Sequence, residues 1–230
     1  MVSKEGRRER RPVKKTILLI LLLILTVSCC TACFSFNRNN DVPDPSGTDA
    51  VQREDILLVN ADHPLPEDFQ PKDLVNLYEQ KRHFLLANSS IFLEREAFEA
   101  ANRMFRQAED EDMNGFILTS GYRSRERQAE LYAEEGADIA QKPGCSEHET
   151  GLAFDVTARY DSGTFEDTPQ FAWLMEHCWD YGFILRYPKG KEAVTGIDYE
   201  PWHYRYVGEA AAKIIRDNGW TLEEYCSSVR

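Results

Sequence analysis

The chain has 230 residues and a mass of 26.5 kDa, with 42% hydrophobic and 29% charged residues. That composition excludes a polytopic membrane protein, a collagen-like repeat and a wholly disordered chain. Of 27 Lys/Arg and 39 Asp/Glu, seven basic and two acidic residues fall within residues 1–15, leaving 20 against 37 in the rest; a body this acidic lacks the clustered positive charge that phosphate contacts need, so no nucleic-acid partner is expected.

Residues 16–36 read TILLILLLILTVSCCTACFSF, 21 residues without a charge. Such a run is long enough to cross a bilayer core as a helix. The basic residues before it, ending in Lys14 and Lys15, place the N-terminus in the cytoplasm. The reading is a basic cytoplasmic tail at 1–15, a transmembrane signal-anchor at 16–36, a flexible linker at 37–54 and an extracytoplasmic domain at 55–230. Cleavage is the alternative: Ser28-Cys29 resembles the end of a bacterial lipoprotein signal, with Thr26 where that pattern usually has Leu or Val. The linker, NRNNDVPDPSGTDAVQRE, has the composition of a solvated tether.

The body begins with a short apolar run at 56–59, ended by turn formers at Asn60. From Leu93 to Ala108, the positions Leu93, Ala97, Ala101, Met104, Phe105 and Ala108 follow helical spacing. Residues 116–119 form a short strand closed by Ser120-Gly121, and Ser124 is an N-cap for a helix to about Gly136. In a strand over 152–156, Leu152, Phe154 and Val156 share one face, and Ala153, Asp155 and Thr157 lie on the other. Pro169 opens a helix toward Tyr181, with Gly182 as its stop. A strand at 203–207 leads into a helix at 209–218 ended by Gly219, and Thr221-Leu222-Glu223-Glu224 is a capping box for a terminal helix. This mixed order predicts an α+β domain and not a regular parallel βαβ array.

Three clusters carry chemistry. The first is SEHETGLAFD at 146–155. His148 and Asp155, seven apart, would face opposite ways on one continuous strand, but Gly151 offers a turn that lets them converge. Imidazole and carboxylate suit a borderline cation such as zinc. The second is EPWHY at 200–204, where Glu200 precedes His203 at the start of a strand. A carboxylate beside a third ligand is what metal-assisted hydrolysis requires, since it can take the proton of an activated water. The third is SGYRS at 120–124 with Gln128 one helical turn on. Arg123 there can hold a substrate carboxylate or an oxyanion, or else form a surface ion pair with Glu126 or Glu130.

In this order the three clusters resemble those of the zinc-dependent D-alanyl-D-alanine carboxypeptidases of the VanY type, and similar stretches extend over residues 55–220. The resemblance implies a small antiparallel sheet flanked by helices, with one zinc in a cleft at the sheet. It implies His148, Asp155 and His203 as zinc ligands, Glu200 as general base and Arg123 as the group binding the substrate carbonyl or carboxylate. Ser146 and Gln128 would position substrate. The implied substrates are peptidoglycan stem pentapeptides, which lose their terminal D-alanine. Related enzymes sharing the motifs act as L,D-carboxypeptidases on tetrapeptides, which is the alternative; a silent wall-binding module is a third reading, against which Glu200 argues.

The remaining histidines are assigned to structure or surface: His63 in a loop, His83 in a helix, His177 in the 169–181 helix. Trp173, Trp179, Trp202, Tyr204 and Tyr206 are assigned to packing. Cys145, Cys178 and Cys226 cannot all pair with one another, so one disulfide and one free thiol is the arrangement an oxidising exterior would allow.

Overall fold

The computed structural model describes residues 56–137, 139–159 and 163–228. The tail, the charge-free run and the linker lie outside the described residues, so the anchor and its lipoprotein alternative do too. Among the described residues no helix is long and apolar enough to cross a membrane.

In chain order, β1 is Leu74–Asn76, β2 Leu85–Leu86, β3 Phe92–Glu94, α1 Arg95–Asp110, β4 Phe116–Ser120 and α2 Arg125–Glu135. After a 3₁₀ turn at Glu147–Thr150 come β5 Ala153–Ala158, α3 Pro169–His177, β6 Phe183–Leu185 and α4 Glu192–Thr195. The chain continues with β7 His203–Tyr206, α5 Glu209–Asn218 and α6 Leu222–Ser228. The main sheet has the order β2-β4-β5-β7-β6.

This is the α+β domain expected, with one correction to its sheet. Four of the five strands pair antiparallel, but β2 runs parallel to β4. The reason is the connection: α1 lies between them and carries the chain back, as a parallel pairing requires. A second, two-stranded sheet pairs β1 with β3.

The alternation read along β5 sets the two sides of the main sheet. Phe154, Val156 and Ala158 point into the larger core with the buried face of α1, which carries Ala97, Phe98, Ala101, Met104, Phe105 and Ala108. Phe105 is its hub, with ring centroids 4.9 Å from Phe116, 5.1 Å from Phe84 and 6.0 Å from Phe154. A buried aromatic in such a contact set stabilises by about 3–5 kcal/mol relative to alanine. Tyr204 of β7 stacks on Phe154, as a packing residue should. On the opposite face, β5 and β7 present Asp155, His203 and Arg205. A smaller core joins Ile184 and Val207 to α5 and α6 through Ala212, Ile215, Leu222 and Tyr225.

Helix ends follow their caps. Ser124 accepts from the Arg127 amide and Thr168 from the Phe171 amide, each at its helix N-terminus. The helix from Pro169 tightens to a 3₁₀ turn at Cys178–Tyr181 before Gly182, at φ 81°, ends it. One helix assignment fails. His83 lies in a loop, not a helix, with its ring bonded to Glu109; the chain bends there to enter the edge strand β2. Cys145, Cys178 and Cys226 are all buried, and no disulfide joins any two of them.

Candidate metal centre

Asp155 and His203 meet because they are direct partners in the β5–β7 ladder. Side chains directly opposite in an antiparallel pair lie on the same face about 5 Å apart at Cβ. His148 arrives from outside the sheet, on the 3₁₀ turn that Gly151 closes in the left-handed region at φ 73°. A Cβ on Gly151 would lie 2.9 Å from Leu74 Cδ2, so glycine is required there for both conformation and space. The turn anticipated between His148 and Asp155 is therefore real.

The three side chains offer ligand atoms within 4.8 Å of one another. His148 Nε2 lies 3.3 Å from Asp155 Oδ2, and His203 Nδ1 lies 3.1 Å from Asp155 Oδ1. Tetrahedral zinc with bonds of about 2.0–2.1 Å separates its ligand atoms by about 3.3 Å. Asp155 Oδ1 is buried without a hydrogen-bond partner despite the nearby imidazole. With His148 completing the set, the three side chains converge on a common point. The charges agree: burial opposes ionisation of His203, yet Asp155, Glu147 and Glu200 around it push its imidazole up to about 9. The pocket calls for a cation, and its donor set fits zinc.

His148 is oriented by its other ring nitrogen, with Nδ1 2.7 Å from the Gly121 carbonyl. That contact fixes the tautomer and leaves Nε2 free for a ligand. Gly121 has no room for a side chain, because a Cβ there would run into the Phe92 carbonyl. Glu200 sits on the turn before β7, its Oε2 3.6 Å from His203 Nδ1. Burial raises its pKa, with His203 acting in the opposite sense, a shift in the direction that suits a base working near neutral pH.

Arg123 is half-buried, and its amide is bonded to the His148 carbonyl. Its guanidinium donates to Gln128 Oε1 at 2.9 Å and approaches Ser120 Oγ at 3.4 Å. The surface ion pair does not form: Glu130 bonds Arg127 instead, and among the described residues no carboxylate lies within ion-pair distance of Arg123. Gln128 is fully buried, its amide donating to the Gln141 carbonyl while its oxygen holds Arg123. It thus sets the guanidinium in place. Ser146 is buried beside His148 on the wall of the cleft.

All seven residues singled out in the sequence line one cleft of about 510 Å³, ordinary for a small-molecule or peptide-end site. Trp202 departs from expectation. It is 43% exposed and lines this cleft instead of packing in a core, because it stands on the turn before β7 and outside the alternation of the strand. Sequence reasoning also missed Glu147, which touches His203. Its position between two recognised motif residues gave no signal, because its partners Arg186 and Arg205 are remote in the chain.

A family model described as VanY, D-alanyl-D-alanine carboxypeptidase, matches residues 90–209. A D-alanyl-D-alanine carboxypeptidase of Enterococcus faecium is 38% identical over 178 residues, which cover 76% of this chain and 58% of that one. A solved Glu-to-Ala variant of the vancomycin-resistance D,D-pentapeptidase VanY, in complex with Zn(II), is 31% identical with a TM-score of 0.62, covering 74% of this chain and 98% of that one. The LD-carboxypeptidase LdcB is 38% identical with a TM-score of 0.65, over 73% and 83%. VanYB, solved with D-alanine-D-alanine, is 32% identical with a TM-score of 0.64, over 76% and 99%.

Proposed function

The chain belongs to the VanY family of D-alanyl-D-alanine carboxypeptidases and is a zinc-dependent D,D-carboxypeptidase, and we propose that the residues of its cleft divide the work as follows. His148 Nε2, Asp155 and His203 Nδ1 hold the zinc. When bound, it polarises the scissile carbonyl and lowers the pKa of a water toward ~7. Glu200 takes the proton of the attacking water and delivers it to the departing amine of D-alanine. Arg123, fixed by Gln128, lies on the cleft wall with no carboxylate of the described residues within ion-pair distance, so it meets the carboxylate or carbonyl of the peptide end. Ser146 lines the site at the peptide's approach. The convergence of His148, Asp155 and His203, with ligand atoms within 4.8 Å of one another, carries this reading.

The substrate follows as the stem pentapeptide of peptidoglycan, cut to a tetrapeptide. The likeness to LdcB favours a second reading, L,D-cleavage of the tetrapeptide. Incubating the full chain and zinc with each stem peptide, with mass spectrometry of the products, separates the two. Loss of one D-alanine from the pentapeptide is expected, and its absence from zinc-loaded protein overturns the reading. Metal analysis should give about one zinc per chain, and His203→Ala should lose both metal and turnover. Full zinc occupancy in that variant would remove His203 from the ligand set.

The reading extends to location. A basic start followed by 21 uncharged residues supports a single-pass anchor with the catalytic body outside the cell membrane. The protein should then sediment with membranes and resist alkaline extraction. Release as a soluble species with an intact residue 16–36 segment would refute the anchor.

A further inference from the structure

Glu147 is outside the ligand set, yet its side chain is completely enclosed beside it. Its Oε1 accepts from Arg186 Nε at 2.6 Å and from Arg205 Nη1 at 2.8 Å, and both guanidinium groups are themselves fully buried. Arg186 spends its other nitrogens on Glu223, at 2.9 and 2.5 Å, and Asn60 donates to the same carboxylate. Two arginines and two carboxylates balance within this cluster, so Glu147 needs no further charge. Its second oxygen, Oε2, has no hydrogen-bond partner, and neither does His203 Nε2, 3.6 Å away. An unsatisfied buried acceptor and an unsatisfied buried ring nitrogen face each other.

We propose that Glu147 is the positioning residue of His203: its Oε2 accepts the Nε2 proton and thereby fixes the tautomer that offers Nδ1 to the metal. This rests on the reading of His203 as a ligand. The two histidines then use opposite ring nitrogens. His148 gives its Nδ1 proton to the Gly121 carbonyl and presents Nε2; His203 gives its Nε2 proton to Glu147 and presents Nδ1. The carboxylate does what the carbonyl does on the other side, with the added effect of making the imidazole a stronger donor. Because Arg186 also grips Glu223 of α6 and Arg205 donates to the Leu57 carbonyl, the orientation of one ligand is braced by both ends of the described chain.

Two experiments on the full chain test this. In wild-type protein with ¹⁵N-labelled histidine and ¹¹³Cd in place of zinc, His203 Nδ1 should couple to the metal while Nε2 carries a slowly exchanging proton. Coupling through Nε2 would overturn the positioning role alone; coupling through neither nitrogen would overturn the ligand reading, and this inference with it. In Glu147→Gln the amide oxygen stays on the arginines and the NH₂ group turns to His203. That donor disfavours the Nε2-protonated tautomer. Zinc affinity, measured by competition with a chromogenic chelator, should fall about 10–100-fold. If Glu147 served only to balance the arginines, the variant would lower the melting temperature of the metal-free protein and bind zinc as tightly as wild type. That result would overturn the proposal. Should Glu147→Gln fail to fold, the cadmium spectrum of the wild type decides.

Discussion

Glu200→Gln is expected to lower kcat about 10²–10⁴-fold, the typical worth of a positioned general base, while zinc binding and fold stay intact. The amide has the shape of the carboxylate but cannot take a proton from the attacking water. Metal content should be preserved because Glu200 stands beside the ligand set: its Oε2 is 3.6 Å from His203 Nδ1, while Asp155 Oδ1 is 3.1 Å away. Its backbone is anchored independently, since the Glu200 amide donates to the Tyr187 carbonyl. Glu200→Ala should behave likewise, with the loss larger where the carboxylate also orients the water. The measurement is kcat on the pentapeptide with zinc content and circular dichroism on the same sample. A kcat near wild type in a folded, zinc-loaded variant would take the base away from Glu200.

Local signals along the chain specify the elements that hold the site. The Ser124 and Thr168 caps, the apolar face of α1 and the alternation on β5 are properties of a few neighbouring residues, and the structure repeats them. What pairs with what was less accessible. Asp155 faces His203 through strand register across 48 positions of chain, a long-range fact that spacing does not encode; family resemblance supplied it. β2 is two residues long, too short to show any period, so its parallel pairing could not be read. His83 falls in the same segment and was misplaced with it. Glu147 escaped notice because a Glu next to a metal-ligand His looks like a solvated loop acid. Only the approach of Arg205 from β7 and of Arg186 from just after β6 shows it to be buried. Trp202 misled in the opposite sense, since an aromatic residue before a strand is usually packed.

Arg123 is where substrate binding and mere structure give different numbers. A surface ion pair is worth ~0–1 kcal/mol of stability and nothing in turnover, and its assumed partners prove to be elsewhere: Glu130 is on Arg127. The guanidinium is instead held from behind by a buried neutral amide, Gln128, and burial pushes its pKa below the ordinary arginine value without costing it its charge. A cation kept half-dry and oriented on the wall of a cleft, outside any ion pair among the described residues, is available to the substrate. Arg123→Ala should therefore leave folding and zinc content unchanged and reduce kcat/KM about 10²–10³-fold, equivalent to ~3–4 kcal/mol of transition-state stabilisation. Arg123→Lys is the sharper test. It keeps the positive charge but loses the planar fork that donates to Gln128 on one side while presenting N–H groups to the peptide on the other. Lysine should recover only part of the lost activity. Recovery mainly in KM would assign Arg123 to the substrate carboxylate, whose charge is the same in ground and transition states, whereas a deficit that persists in kcat would assign it to the carbonyl oxygen, where charge develops during attack. Wild-type kinetics in both variants would return Arg123 to the protein's own structure and remove the substrate-binding half of the site.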